Sequence, residues 1–453
     1  MKKVVFTLPL LVLSACTLAP KYVRPEAPVA SGWPVSTPEA QASGPVRWHD
    51  LFLDARLQKT IDLAVANNRD LRVAVLDITR ARAQYGIARA DLFPSLDGSL
   101  SGSKSHTQAS GDVQSYTASL GLSWELDIFG RVRSLNTAAL EDFFAAQENR
   151  NAVQISLIGD VASAWLNLAA GQDTLRLAQQ TLQARKESYD IATGQAKIGT
   201  ASDLDLAQAK TEYESARQAV AQAETAIDQD KAALTLLVGA PLSDDLLPDG
   251  LQANAVAASL PVGLPSQVLL GRPDVLTAEH DLKAANADIG AARAAMFPSI
   301  SLTGAAGSAS SALGDLFKSG HNTWSYGTSI KQSIFAGGAN INGVRSARAN
   351  RDIAVAQYEK AIQSAFRDVS DALAVRARID ERLDAQTQAT EAAAQAYRLS
   401  QASYKAGATS YLTLLDAQRT LYSAQQSLIT LNALKASNLV ALYQAVADDQ
   451  SLQ

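Results

Sequence analysis

Residues that could do chemistry are few, and their spacing does not suit catalysis. The chain has one cysteine, Cys16, and four histidines, His49, His106, His280 and His321, none at metal-ligand spacing. A single cysteine rules out a disulfide within the chain and a Cys-based zinc site. The sequence has neither the Gly-x4-Gly-Lys-Ser/Thr phosphate loop nor the His-Glu pair of metal hydrolases. Ser101-Gly102-Ser103-Lys104 matches a Ser-x-x-Lys spacing, but on an expected strand and without the companion motifs such enzymes need. The expectation is a protein that is not an enzyme and needs no cofactor or metal. Cys16 has a different context. Met1-Lys2-Lys3 is positive, Val4 to Leu13 is mostly apolar, and Leu13-Ser14-Ala15 supplies small residues, which makes residues 1–15 an export signal. This ten-residue, mostly apolar run falls short of the roughly 20 residues that a membrane-spanning helix needs.

Leu13-Ser14-Ala15-Cys16 resembles the lipobox of bacterial lipoproteins, in which the signal is cut before the cysteine and that cysteine is acylated. The resemblance implies a covalent lipid on Cys16, and Thr17 in place of an aspartate favours the outer membrane. Beyond the signal no apolar run approaches 18 residues, so no helical span is expected. The 453 residues are 47% apolar, enough for a large core, and 40 Lys and Arg against 45 Asp and Glu leave no basic surplus for nucleic acid.

The elements that position these residues come in two copies. After a lipidated, extended N-terminal segment (16–54), rich in proline from Pro20 to Pro45, Ala83-Gln84-Tyr85-Gly86 through Phe93-Pro94-Ser95 returns 204 residues later as Ala287-Asp288-Ile289-Gly290 through Phe297-Pro298-Ser299. Each copy reads helix, proline break, strand, because proline lacks an N–H and disfavours helical geometry in the residue before it. The first repeat is a helix over 55–92, two strands within 93–129 and a helical hairpin over 130–238. A segment at 239–272 separates it from the second, a helix over 273–296, two strands within 297–336 and a hairpin over 337–447, with a tail at 448–453.

The strands alternate. Tyr116, Ala118, Leu120, Leu122, Trp124 and Leu126 point one way, and Thr117, Ser119, Gly121, Ser123, Glu125 and Asp127 the other. Pattern alone fits both an ordinary half-buried sheet and a lipid-facing one. If the sheet lies in lipid, four strands cannot close a barrel, so several chains must share it; three would give about 12 strands and an appreciable bore. The helices are long: Arg131 to Lys197 and Asn340 to Lys405 contain no proline, and the first would run about 100 Å. Leu157, Val161, Ala164, Leu168, Gly171, Leu175, Ala178 and Leu182 step by fours and threes, a coiled-coil seam. Turns at Gly199 and Gly407, each with a serine or threonine suited to capping the next helix, fold each long helix back on a shorter one.

Three motifs carry a resemblance to a known family: Trp124-Glu125-Leu126-Asp127-Ile128-Phe129-Gly130-Arg131, Gly271-Arg272-Pro273-Asp274-Val275 continuing to Phe297-Pro298-Ser299, and Tyr411-Leu412-Thr413-Leu414-Leu415-Asp416-Ala417-Gln418-Arg419. Together they resemble the outer-membrane efflux factor family (TolC-like), in the lipoprotein branch close to OprM. The resemblance implies a mixed α and membrane-β fold, a homotrimer whose 12-stranded β-barrel continues into a 12-helix periplasmic α-barrel. It implies a passive channel for drugs or other small toxic compounds, partnered by a periplasmic adaptor protein and a proton-driven inner-membrane pump. A TolC-type outlet for protein secretion is the alternative; a periplasmic adaptor lipoprotein would need only one hairpin and no such strands. Leu412 and Asp416 match residues of the closed periplasmic aperture, and Tyr404 and Asp205 match the network that holds the TolC entrance shut. Thr413 stands where TolC has a second acidic residue, and Gly271 where an arginine is more usual.

Overall fold

The computed structural model describes residues 17–35, 47–109, 111–252, 255–257, 259–260, 262–263 and 268–448. The signal at 1–15 and Cys16 lie outside the described residues. The chain divides into two compact units, one made of residues 1–27, 76–147 and 277–360 and the other of 28–75, 148–276 and 361–453.

The first unit is built around an antiparallel sheet in the order β1 (Ser95–Thr107), β2 (Gly111–Leu126), β3 (Ser299–Ser310) and β4 (Asn322–Lys331). β1 and β2, at 13 and 16 residues, outrun the expected strands and exceed the ~9–11 a tilted strand needs to cross a bilayer. Register carries the sequence alternation across all four strands. Leu96 pairs with Leu122, Leu122 with Gly304 and Gly304 with Tyr326; two residues on, Gly98, Leu120, Ala306 and Trp324 form the next row of the same face. The opposite face holds rows such as Ser99, Ser119, Gly307 and Thr323. Leu96, Leu100, Leu120, Trp324, Tyr326 and Ile330 are all exposed, with Tyr326 at 82%, so this chain does not cover the apolar face of its own sheet. The Trp124 indole donates to the Leu92 carbonyl (3.1 Å), tying β2 to the residues just before β1.

Helix bounds follow local chemistry. α1 (Trp48–Leu51) and α2 (Ala55–Asn67) precede α3 (Arg69–Ala90). The single helix expected over 55–92 is therefore two. Asn68 breaks it in extended backbone, donating its amide to the Leu237 carbonyl while its oxygen accepts from the Leu71 N–H and caps α3. α4 (Arg131–Lys197) and α5 (Asp203–Val238) form the first hairpin, α6 (Pro273–Ala294) follows, and α7 (Ala339–Lys405) and α8 (Tyr411–Val446) form the second. Asp127 caps α4, accepting from the N–H groups of Val132 and Arg133. Gly130, Gly337 and Gly338 take positive φ where strand gives way to helix, as glycine there can.

The core of the second unit joins α1, α2, α4 and α8 around Trp165, Phe52, Ile158, Leu168 and Tyr443, all fully buried. The expected seam on α4 is broader than one stripe. Ile158, Ala162, Trp165, Leu166 and Ala169 are buried beside Leu157, Val161 and Leu168, because helices pack on α4 from more than one side. One 18-residue window of α4 is long and apolar enough to cross a membrane, but 61% of it is buried inside the protein, as in a core helix. Arg272 grips Asp274 with Nε and Nη2 and donates Nη1 to the Ala445 carbonyl (2.7 Å), so the Arg-Pro-Asp motif fastens the start of α6 to the end of α8.

Candidate functional site: the hairpin turns

The two hairpin turns are near-copies. Gly199 and Gly407 have φ of 75° and 73°, and the N–H one residue past each glycine reaches back five residues, Thr200 to Gln195 and Ala408 to Ser403, closing the same αL cap. Ser202 and Ser410 then cap α5 and α8, accepting from the N–H groups of Asp205 and Thr413. The copies differ at the third helical position. Asp205 also accepts from the Ser202 hydroxyl (2.8 Å), whereas Thr413 meets Ser410 hydroxyl to hydroxyl (3.1 Å).

A small core fastens the turns together. Ala192, Ala209, Tyr411, Leu414 and Leu415 are buried, with Tyr189, Leu206, Tyr397 and Tyr404 against them. The Tyr404 hydroxyl donates to Gln195 Oε1 (3.3 Å), bridging the second hairpin to the first. Burial, and then the nearby Asp205 charge, push the Tyr404 phenol up, so it stays a neutral donor. The hydrogen bonds of Asp205 itself go to Ser202 in its own turn. Of the pair matched to the TolC entrance network, Tyr404 thus bridges the hairpins, while Asp205 acts on it only through charge.

Leu412 and Asp416 lie one helical turn apart on α8, and both are exposed; Leu412 is 60% accessible. They stand on the face of α8 that this chain's own core leaves open, with Tyr411, Leu414, Leu415 and Gln418 on the buried face.

Sequence reasoning missed a buried charged link between the hairpins. Glu212 of α5, 7% exposed, pairs with Arg185 of its own hairpin and accepts from Arg419 of the other. Burial pushes the Arg185 guanidinium down from its ordinary value. Gln418 continues the seam, donating to the Ser188 and Tyr397 hydroxyls at 3.5 and 3.4 Å. In the sequence each of these charges resembles a solvated helix residue. The one available signal was that Gln418 and Arg419 lie four residues, about one helical turn, past the apolar pair Leu414 and Leu415.

A family model described as outer membrane efflux protein matches residues 60–240 and 264–448 of this chain. The toluene efflux pump outer membrane protein TtgC of Pseudomonas putida is 44% identical over 396 residues, covering 84% of this chain and 82% of that protein. The outer membrane protein OprJ of Pseudomonas aeruginosa is 40% identical over 378 residues, 80% of this chain and 78% of that one. Among solved structures, the open state of the Neisseria gonorrhoeae MtrE outer membrane channel superposes with a TM-score of 0.86 at 41% identity, covering 95% of this chain and 98% of that chain.

Proposed function

From the premise that this chain belongs to the outer membrane efflux protein family, we propose that three copies form a passive duct delivering small toxic compounds across the periplasm and outer membrane. The chain is an outer-membrane efflux channel protein. One observation carries the assembly: a four-stranded sheet with an uncovered apolar face, whose outer strands β1 and β4 pair on one side only. In lipid an open strand edge leaves backbone N–H and C=O groups without partners, each costing several kcal/mol, so β1 of one copy must meet β4 of the next. Apolar solvents of the toluene class, which the name of one relative specifies, are the proposed cargo. A duct has no fuel of its own, so a periplasmic adaptor and an energised inner-membrane pump are the proposed partners, and acylated Cys16 the proposed lipid anchor.

The gate is proposed at Leu412 and Asp416. Threefold symmetry turns each into a ring of three. Three leucines can meet as an apolar plug, while three carboxylates crowd one another and need cations, water or partner contacts. Tyr404–Gln195 and the Glu212 ion pairs hold each chain's hairpins together, so opening requires a partner that binds splayed turns better than closed ones. Planar-bilayer recording tests both claims. The purified protein should conduct, and Leu412→Ala with Asp416→Ala should raise single-channel conductance severalfold. A wild-type protein that forms no pore would refute the duct, and unchanged conductance in an intact double variant would refute the gate.

A further inference from the structure

The two strand hairpins belong to the two repeats but end differently at their turns, the end of the sheet away from the flanking helices. β1 and β2 stay paired up to Thr107 opposite Gly111, and there the face that carries Leu96, Leu100 and Leu120 turns polar. Lys104 and His106 share Asp112 at 2.9 and 2.7 Å, beside Gln114. β3 stops lower, at Ser310 opposite Tyr116, and residues 311–321 lead across to β4.

This loop folds back on the apolar face. Ser308 and Ser310 alternate onto the same face as Ile300 and Leu302, yet they are only 7% and 9% exposed. The Ser308 hydroxyl lies within hydrogen-bond reach of the Leu316 and His321 carbonyls, and the Ser310 hydroxyl accepts from the Ala312 N–H (3.2 Å). Leu316 is buried, whereas Leu313 and Phe317 before and after it are 61% and 82% exposed. Asp315 and Lys318 pair with each other, so neither adds an unbalanced charge.

Rows of paired residues place the loop in height. Ten residue steps along β2, from Leu126 to Tyr116, span roughly 33 Å, or about 25 Å of height at the ~40° tilt of barrel strands, which matches the apolar band of such barrels. The Ser308 and Ser310 rows are the top two of that band. Ser308 aligns with Ala118 and Asn322, and Ser310 with Tyr116, whose ring covers Gly102 so closely that a Cβ there would stand 3.0 Å from it. Trp324 and Tyr326, stacked at 5.9 Å, occupy the next two rows down on β4. Aromatic girdles of this kind mark the membrane–water boundary. Leu313 and Phe317 thus continue the apolar surface of the sheet just below its first charges, at Lys104 and Asp112.

We propose that residues 311–321 are a foot on the lipid side of the sheet. Leu313 and Phe317 enter the acyl chains of the outer leaflet, which holds the loop clear of the bore and leaves the outer mouth open. The foot rests on the reading of the apolar sheet face as lipid-facing, and continuity with that face is what identifies lipid as its cover.

Spin labelling of the oligomer reconstituted into phospholipid bilayers tests this. Cys16→Ser, exported behind an ordinary cleavable signal, leaves no other thiol, so Leu313→Cys and Phe317→Cys each carry one nitroxide per chain. Power saturation compares collision with oxygen, which concentrates among acyl chains, with collision with a water-soluble nickel chelate. Both sites should favour oxygen at least fivefold more than Gln114→Cys, a position on the same face above the band. Labels at 313 and 317 that meet nickel as readily as Gln114→Cys would put the loop in water, outside the barrel or in its bore. Labels shielded from both reagents would put it against another copy. Either result overturns the foot. Leu120→Cys, within the band, reads the premise separately: if it favours oxygen while 313 and 317 do not, the foot alone falls, and if it meets nickel, the lipid-facing sheet falls and the foot with it.

Discussion

Glu212 is a buried carboxylate that joins the two hairpins. It holds two guanidiniums, one from each hairpin, in surroundings that leave its side chain 9% and that of Arg185 8% exposed. Glu212→Ala would leave Arg185 buried and unpaired, and a broken buried pair costs about 3–5 kcal/mol. Thermal unfolding should show that loss in Glu212→Ala, while Glu214→Ala, two residues along on an exposed pair, should stay near wild type. The Glu279 carboxyl adds a pH dependence. Burial pushes it up, but its hydrogen bonds from Arg24 and Tyr22 and the Lys283 charge outweigh that and hold it below its ordinary 4.5. Tyr358, the remaining titratable group packed there, stays neutral because burial and Glu279 push it up. A depressed carboxylate contributes its full stability above the ordinary value and loses it as pH falls through the lowered one. The N-terminal segment should therefore stay against Glu279 above pH 5 and come away as the pH falls below 4.5, which hydroxyl-radical footprinting of the Tyr22 ring would read as a rise in labelling. The position of Leu412, Asp416 and Tyr404 beside the second turn was legible because Gly407 fixes their distance from the hairpin end, whereas a role for them at a gate comes from the resemblance alone. Glu212, Arg185 and Glu279 were not legible, since their partners lie on other helices or on the N-terminal segment.

Among the elements, helix ends were the most readable feature. α4 runs from Arg131 to Lys197 as expected because Gly130 and Gly199 both adopt a conformation that suits glycine. At the second turn Gly407→Ala puts a side chain into the left-handed region and should cost about 1–2 kcal/mol. The Gly407→Ala cost should appear as faster hydrogen exchange in the last turn of α7, roughly fivefold for each kcal/mol, with the middle of the helix unchanged. Asn68 was missed because asparagine within a helical pattern gives no sign that its amide will reach the Leu237 carbonyl. The apolar window of α4 misleads for the same reason: burial that comes from several directions erases the polar face by which a helix is usually recognised. Strand alternation was legible residue by residue, but strand length was not. The upper pairs of β1 and β2, from Ser103 opposite Ser115 to Thr107 opposite Gly111, continue a hairpin beyond the last pairing of β3 at Ser310.

The whole molecule follows from the edges of its sheet. A chain that buries Trp165 and Tyr443 completely yet leaves Trp324 and Tyr326 exposed on one face of a four-stranded sheet has a finished core and an unfinished barrel. Duplication explains how one sequence supplies both: each half contributes two strands and one hairpin, and β2 of the first half pairs with β3 of the second. The number of copies follows from closure and bore, which sequence and sheet constrain together. Native mass spectrometry of the detergent-extracted protein measures it most directly. Three copies in a single species, with no monomer surviving reconstitution into bilayers, is the predicted result. A monodisperse single chain that inserts and conducts would contradict a barrel shared among three.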